Sequence, residues 1–340
     1  MSLATRIYGA SARYRRAWLF GHPSRVRRLG RPVVSIGSLS AGGSGKTPVA
    51  ALVARLLLDA GERPAILSRG YGRTAPDDGV TVVSDGARLR ADLARAGDEP
   101  LMLARALPGV AVVVAPDRYL AGKVAELHLG ATVHVLDDGF QHLVLARDVD
   151  LLIVDPAEVD RPRLLPRGRL REGLGAARYA DAVLVGDGAM DAATVADRLG
   201  VPDSFALARI GGAPIEEGPD GPKSIAHGTR VLAVSGIARP ERFEQEAREQ
   251  GVEVSETLRF RDHHAFTDAD IGRISARQRG AGASVVLTTE KDLTRLLIHR
   301  PWPFRLAVLP WSVRVEPERA FADWLAERLA LARTRAGIVA

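Results

Sequence analysis

Positions 40 to 47 read Ser-Ala-Gly-Gly-Ser-Gly-Lys-Thr, between the apolar run Pro32 to Gly37 and a helical pattern from Thr47 to Ala60. A glycine-rich turn from strand to helix aims backbone N–H groups at an anion, and glycine allows the close approach that phosphate oxygens need. In such a loop Ser40, Ala41, Gly42, Gly43, Ser44 and Gly45 would surround a nucleoside triphosphate. Lys46 would neutralise its β- and γ-phosphates, and the Thr47 hydroxyl would take one position on Mg²⁺. The strict form of the motif has glycine where Ser40 stands.

Such a loop works with an acidic residue that leaves a neighbouring strand and holds the magnesium directly or through water. Val133 to Leu136 followed by Asp137 and Asp138 meets that need, and Gly139, Phe140, Gln141 and His142 extend from the same point. In open α/β sheets this end of the strands is where ligands bind. Asp98 and Glu99 open a helix after Gly97, and by spacing alone they complement a helix dipole. His263 and His264 leave two readings: a metal site, disfavoured by their adjacency and the want of a third ligand, or a general base that draws a proton from an acceptor hydroxyl. Guanine selection needs Asn or Thr, then Lys, any residue and Asp. None of the four lysines has that setting, so ATP is the expected nucleotide.

The elements that position these groups alternate. Ala65 to Ser68, Gly79 to Ser84, Val110 to Ala115, Val133 to Leu136, Leu151 to Val154 and Ala182 to Gly186 read as strands, with helices at Glu99 to Ala106 and Pro116 to Leu129. That order predicts parallel βαβ units. A Gly- and Pro-rich stretch near residues 211 to 228 reads as a linker or exposed ribbon. Beyond it Val231 to Ser235, Val252 to Leu258 and Val285 to Thr288 read as strands, Pro240 to Gln250 as a helix, and Glu316 to Arg333 as a terminal amphipathic helix. The expected fold class is α/β: a P-loop NTPase domain with a mainly parallel sheet over 31–208, a linker over 209–229, and a second, smaller α/β domain over 230–340 that includes the terminal helix.

At 340 residues, 46% hydrophobic and 26% charged, the chain has a globular composition long enough for two domains. It has no cysteine, which excludes disulfides, thiolate metal sites and a cysteine nucleophile, and fits a reducing compartment. Only four of its 47 basic residues are lysine. That bias reads as codon usage, and no nucleic-acid partner is expected.

No acidic residue precedes Asp59, while eight arginines crowd the first 31 positions. A membrane span needs roughly 20 mostly apolar residues, so residues 1–30 do not read as one, and no signal-peptide core is present. Wound as a helix, Leu3, Ile7, Ala10, Tyr14, Ala17 and Trp18 share an arc of about 100°, with Arg6, Arg13, Arg15 and Arg16 outside it. Two readings stand: a helix lying on an anionic membrane surface, and a helix packed on its own domain.

Taken together, the segments GGSGKTP (Gly42 to Pro48), SRGYGR (Ser68 to Arg73), GDEP (Gly97 to Pro100), LDDGFQH (Leu136 to His142), LREG (Leu170 to Gly173), SGIARPERF (Ser235 to Phe243), FRDHHAFT (Phe260 to Thr267) and TTEKD (Thr288 to Asp292) resemble, in order, the tetraacyldisaccharide 4'-kinases of lipid A biosynthesis. The resemblance implies transfer of the ATP γ-phosphate to the 4'-hydroxyl of an acylated glucosamine disaccharide 1-phosphate, at the cytoplasmic face of the inner membrane of a Gram-negative bacterium. It implies a catalytic pair, with Asp98 as base and His263 as its partner across the domain cleft. Asp137 or Asp138 is expected to join Thr47 on the metal, with the other orienting the loop, and the resemblance implies that Tyr71, Arg118, Gln141, His142, Arg171 and Glu172 contact substrate or phosphate. A monomer is expected. The rivals from other classes are a ParA-like switch ATPase, which hydrolyses nucleotide without an acceptor, and a soluble small-metabolite kinase, which has no use for the basic aromatic arm.

Overall fold

The computed structural model describes residues 3–75, 79–218 and 221–335, with side chains from Thr5 onward, and divides into two units. Unit 1 comprises residues 1–209 and 313–340, and unit 2 residues 210–312. In chain order unit 1 runs α1 (Leu3–Phe20), β1 (Val33–Ser38), α2 (Lys46–Asp59), β2 (Pro64–Ser68), β3 (Thr81–Asp85), α3 (Leu93–Ala96), α4 (Asp98–Ala106), β4 (Ala111–Val114) and α5 (Arg118–His128). It continues with β5 (Val133–Asp137), β6 (Val149–Val154), α6 (Pro156–Asp160), β7 (Ala182–Gly186), α7 (Ala192–Leu199) and β8 (Asp203–Gly211).

Strands β1, β5 and β6 are buried at every position, which is why their sequences read as unbroken apolar runs instead of alternating. They form the centre of a sheet ordered β8-β7-β6-β1-β5-β2-β4-β3, parallel except for β3 on β4. Two apolar clusters lie side by side on one face, one built around Phe140, Leu152 and Val183, the other around Val33, Leu67 and Val113, while the register sets Val34, Ile66 and Val135, also buried, on the opposite face. The β1–β5 register sets Ile36 beside Asp137, so the glycine-rich loop and the acidic pair leave the sheet at the same end. The LDDGF turn then folds tightly back: a Cβ on Gly37 would lie 2.3 Å from Phe140 Cβ, and only glycine fits there.

One polar cluster braces the back of this sheet. Glu126 on α5 takes Lys123 Nζ at 2.8 Å and the Arg31 N–H at 2.8 Å, with the buried His134 Nε2 at 3.3 Å. Burial opposes ionisation of Glu126, and these partners outweigh it, holding its carboxyl at about 2. A carboxyl depressed in the fold contributes stability above its unfolded value that is lost as pH falls toward the folded one. We therefore expect the urea midpoint to drop between pH 4.5 and 2, and Glu126→Gln to flatten that decline; an unchanged slope in the variant would remove Glu126 from the account.

Unit 2 contains β9 (Ile215–Glu217), β10 (Lys223–Ser224), β11 (Arg230–Ser235), α8 (Pro240–Glu249), β12 (Glu253–Arg259), α9 (Asp268–Gly280), β13 (Val285–Thr289), α10 (Glu290–Leu296) and β14 (Leu306–Leu309). Its sheet is ordered β10-β9-β14-β13-β11-β12, parallel except for the two pairings of β9. The stretch expected as linker or ribbon thus supplies the end of β8 and the antiparallel β9–β10 pair.

The expected second domain is corrected at its end. The chain returns to unit 1 through β15 (Trp311–Glu316), which lines up beside β8, and α11 (Glu318–Arg335). On α11 Phe321 packs edge-on to Phe205 at 5.1 Å, Trp324 Nε1 donates to Asp203 at 2.9 Å, and Arg333 pairs with Glu62 at 2.6 Å. Composition carries no mark of such a return, because a strand continuing straight from Pro310 looks the same in either unit.

Helix α1 packs on unit 1 through Thr5, Gly9, Arg16 and Leu19, which are buried. The expected arc faces the other way, with Ile7 61% and Tyr14 70% exposed and Ala10 and Ala17 open as well; the side chain of Leu3 lies outside those described. The packed face is thus carried by Thr5, Gly9, Arg16 and Leu19, and the arc is left exposed.

Candidate active site

The phosphate loop leaves β1 and enters α2 through Gly45, whose φ of 80° is the left-handed conformation glycine adopts without strain. Lys46 is the first residue of α2, so its backbone N–H sits at the positive end of the helix dipole. Its Nζ donates to Ser44 Oγ at 2.9 Å and lies 3.8 Å from Asp138 Oδ1. Burial lowers the Lys46 pKa against the pull of Asp138, and Arg171 lowers it further. The Thr47 hydroxyl donates to Asp137 Oδ2 at 3.4 Å.

Asp137 ends β5 and is buried, and its Oδ1 has no hydrogen-bond partner among the described residues. Burial, then repulsion from Glu99 and Asp138, pushes its pKa up to about 7. Asp138 turns out of the strand with φ of 57° and takes Arg171 Nη1 on both oxygens, at 3.0 and 2.8 Å. The same guanidinium donates to Gln141 Oε1 at 3.2 Å, while Gln141 Nε2 donates to the Ser38 carbonyl at 3.0 Å. His142 is lowered to about 4 by burial and then by Arg118, and is neutral near pH 7.

Asp98 heads α4, is buried, and accepts the Glu99 N–H at 2.9 Å. It is positioned by packing of two motifs: Gly97 has φ of 84°, and a Cβ there would meet the Tyr71 carbonyl at 2.5 Å. Tyr71 is 57% exposed, and its hydroxyl accepts from Arg69 at 2.8 Å. Arg118, on α5, is buried with Nη1 on the Pro116 carbonyl at 3.0 Å. Burial lowers its pKa, followed by Arg69, while Tyr71, Asp138 and Asp137 raise it. Glu99 of GDEP and the two aspartates of LDDGFQH thus act on Lys46, while SRGYGR is joined to GDEP by the close approach of the Tyr71 carbonyl to Gly97.

Sequence reasoning missed the partner of Glu172. Its carboxylate takes Arg16 Nε and Nη2, both at 2.9 Å, in a pair whose side chains are 5% and 9% exposed. Arg16 also lies over the rings of Phe140 and Tyr179, so α1 is tied directly to the LDDGF turn. The signal was faint: Arg16 is one of eight early arginines, told apart only by lying opposite the apolar arc. Around this pair Ala12, Arg13, Ala17, Arg178 and Tyr179 line a cavity of about 450 Å³.

His263 belongs to unit 2 and is described with it. It has φ of 57°, a conformation that costs a side-chain-bearing residue energy, and its N–H donates to the Gly236 carbonyl at 3.2 Å. Beneath it Asp292, buried completely, accepts the Gly236 N–H at 3.0 Å, and Arg295 donates to the carbonyls of Gly236 and His264 at 3.2 Å each. His263 Nε2 stands 3.1 Å from Lys291 Nζ, whereas His264 Nε2 stands 3.0 Å from Asp270 Oδ2. The adjacent histidines thus have separate partners, and no cluster of three metal-ligating side chains occurs among the described residues.

A model of the tetraacyldisaccharide-1-P 4'-kinase family matches residues 1–330. A tetraacyldisaccharide 4'-kinase of Anaeromyxobacter sp. (strain Fw109-5) is 40% identical over 354 aligned positions, covering 99% of this chain and 92% of that protein. One of Geobacter metallireducens is 42% identical over 279 positions, 80% of each chain. Among solved structures, LpxK from Aquifex aeolicus, crystallised in complex with ATP, matches with a TM-score of 0.76 and 30% identity over 96% of this chain and 97% of that one. By the family match along nearly its whole length, this chain belongs to the tetraacyldisaccharide-1-P 4'-kinase family.

Proposed function

We propose that this protein transfers the γ-phosphate of ATP to the 4'-hydroxyl of an acylated glucosamine disaccharide 1-phosphate, giving lipid IVA in lipid A biosynthesis. The observation that carries the reading is the convergence of Lys46, Thr47 and a buried, half-unpartnered Asp137 at one end of β1 and β5, in a chain matched by this kinase family. In the reaction the 4'-oxygen bonds to the γ-phosphorus, the bond to the bridging oxygen breaks, and ADP leaves. The hydroxyl proton passes to the Asp98 carboxylate, and Lys46, Arg118 and Arg171 balance charge on the phosphate oxygens. Tyr71, Gln141 and His142 contact the nucleotide or the lipid acceptor, whereas Glu172, its carboxylate taken by Arg16, acts by holding α1 to the LDDGF turn.

The residues suit a Mg²⁺ that arrives with the nucleotide. Asp137 Oδ1 has no hydrogen-bond partner among the described residues, Thr47 Oγ1 is adjacent, and no all-protein cage is formed there. Mg²⁺ binds through one or two protein oxygens together with phosphates and waters. Thr47 and Asp137 would hold it, and when bound it would neutralise phosphate charge. Asp138, already paired to Arg171 and close to Lys46, would orient those cations. ADP release should depend on the lipid acceptor. Equal release with and without it would favour the switch ATPase and overturn the proposal.

No helix among the described residues is long and apolar enough to cross a membrane. We propose that the chain, as a monomer, seats the outward arc of α1 on the anionic cytoplasmic face of the inner membrane. Support comes from Ile7, Tyr14 and Phe20, all more than half exposed, beside arginines that attract anionic headgroups. Ile7→Asp combined with Tyr14→Asp should lower sedimentation with anionic vesicles at unchanged thermal stability, since neither side chain packs on unit 1. Unaltered sedimentation would leave α1 with its packing role alone.

A further inference from the structure

Ser40, where the strict motif has glycine, is buried, and its hydroxyl donates to Glu158 on α6. Arg169 Nη1 stands 3.4 Å from Glu158 Oε1, at ion-pair distance but outside hydrogen-bond geometry. Arg169 Nη2 donates to the Gly42 carbonyl and, at 3.4 Å, to that of Ala41. The backbones are stapled as well: Ala41 N–H to the Arg169 carbonyl at 2.7 Å, and Arg171 N–H to the Leu39 carbonyl at 2.6 Å.

From this geometry we infer that Ser40, Glu158 and Arg169 form a brace that presets the phosphate loop for ATP. The inference rests on the proposed nucleotide site. In a planar trans peptide the C=O and the following N–H point in opposite directions. With the Ala41 and Gly42 carbonyls drawn toward Arg169, the N–H groups of Gly42 and Gly43 are turned away from it and held there as anion donors. Both glycines have positive φ, 65° and 59°, so the loop has wide conformational freedom that the brace removes before nucleotide arrives. Ser40 is therefore used and not merely tolerated: its hydroxyl fixes Glu158, and Glu158 aims Arg169. The same short segment continues to Arg171, which grips Asp138, so one strand of chain positions the loop and the acidic turn together.

These are positioning residues, and the test separates binding from turnover. The Kd for ATP, read by calorimetry, should rise about tenfold for Arg169→Ala and less for Arg169→Lys, which keeps the charge but cannot bridge two carbonyls. Glu158→Gln should also weaken ATP, and combined with Ser40→Ala it should cost less than the sum of the single changes, because both break one chain of contacts. Across the set kcat at saturating ATP should fall by less than Kd rises. ATP affinity within about twofold of the wild type in Arg169→Ala, or fully additive effects in the pair, would overturn the brace. Should Arg169→Ala fail to fold, Arg169→Lys is decided by the same threshold. Failure of the wild type itself to bind ATP would instead refute the nucleotide site on which the brace depends.

Discussion

Asp98→Ala should lower turnover by about 10²- to 10⁴-fold while ATP binding stays close to the wild type. A residue that only complemented the dipole of α4 would contribute about 0.3–1 kcal/mol to stability and nothing to rate. The surroundings favour the larger effect. Asp98 is 5% exposed, its carboxylate is oriented by the Glu99 N–H, and the Tyr71 and Gly97 backbones are packed so closely that no side chain fits at Gly97. Asp98→Asn preserves shape and can keep that hydrogen bond, yet its amide cannot accept a proton, so it should lose as much as alanine. Near-normal turnover in the asparagine variant would remove Asp98 from the chemistry and return it to the helix terminus.

Replacing Asp137 by asparagine should have opposite effects on rate and stability. Turnover should fall by about 10²- to 10³-fold, because the group beside Thr47 that would face the cation loses its charge. The unliganded protein should melt higher, by about 2–4 °C for each kcal/mol recovered. A buried carboxylate with Glu99 and Asp138 as repelling neighbours and an oxygen without a hydrogen bond is destabilising until a cation compensates it. Asp138→Asn should differ: it breaks a two-oxygen contact with Arg171, and the protein should melt no higher than the wild type. Calorimetric melting of the three proteins without nucleotide, set beside their turnover, checks both halves; a lower melting temperature for Asp137→Asn would contradict the account.

What the sequence showed plainly was local. The phosphate loop and the acidic pair each lie within eight residues, flanked by apolar runs that fix strand and helix, and β1 and β5 deliver them side by side. What it hid was contact at long range. Arg16 and Glu172 are 156 positions apart, and Arg169 reaches back 127 positions to the Gly42 carbonyl. Nothing in the spacing of either pair marks them. Spacing could not show the surroundings of Asp98 either, because its burial against the Tyr71 turn is tertiary. The terminal helix was assigned to the wrong unit for the same reason: its Phe321 and Trp324 needed an apolar partner, and periodicity cannot say that Phe205 supplies it. The outward arc of α1, by contrast, was read correctly as a face, but the opposite, packed face was carried by small and charged residues that hydrophobic periodicity passes over.

The central claim is transfer, not hydrolysis. The most direct measurement incubates the detergent-solubilised protein with Mg²⁺, γ-labelled ATP and the acylated glucosamine disaccharide 1-phosphate, then locates the label. The account predicts one labelled phosphate on the lipid, at the 4'-position, in step with ADP formed. Label recovered as free phosphate, with none on fresh lipid acceptor, would contradict it.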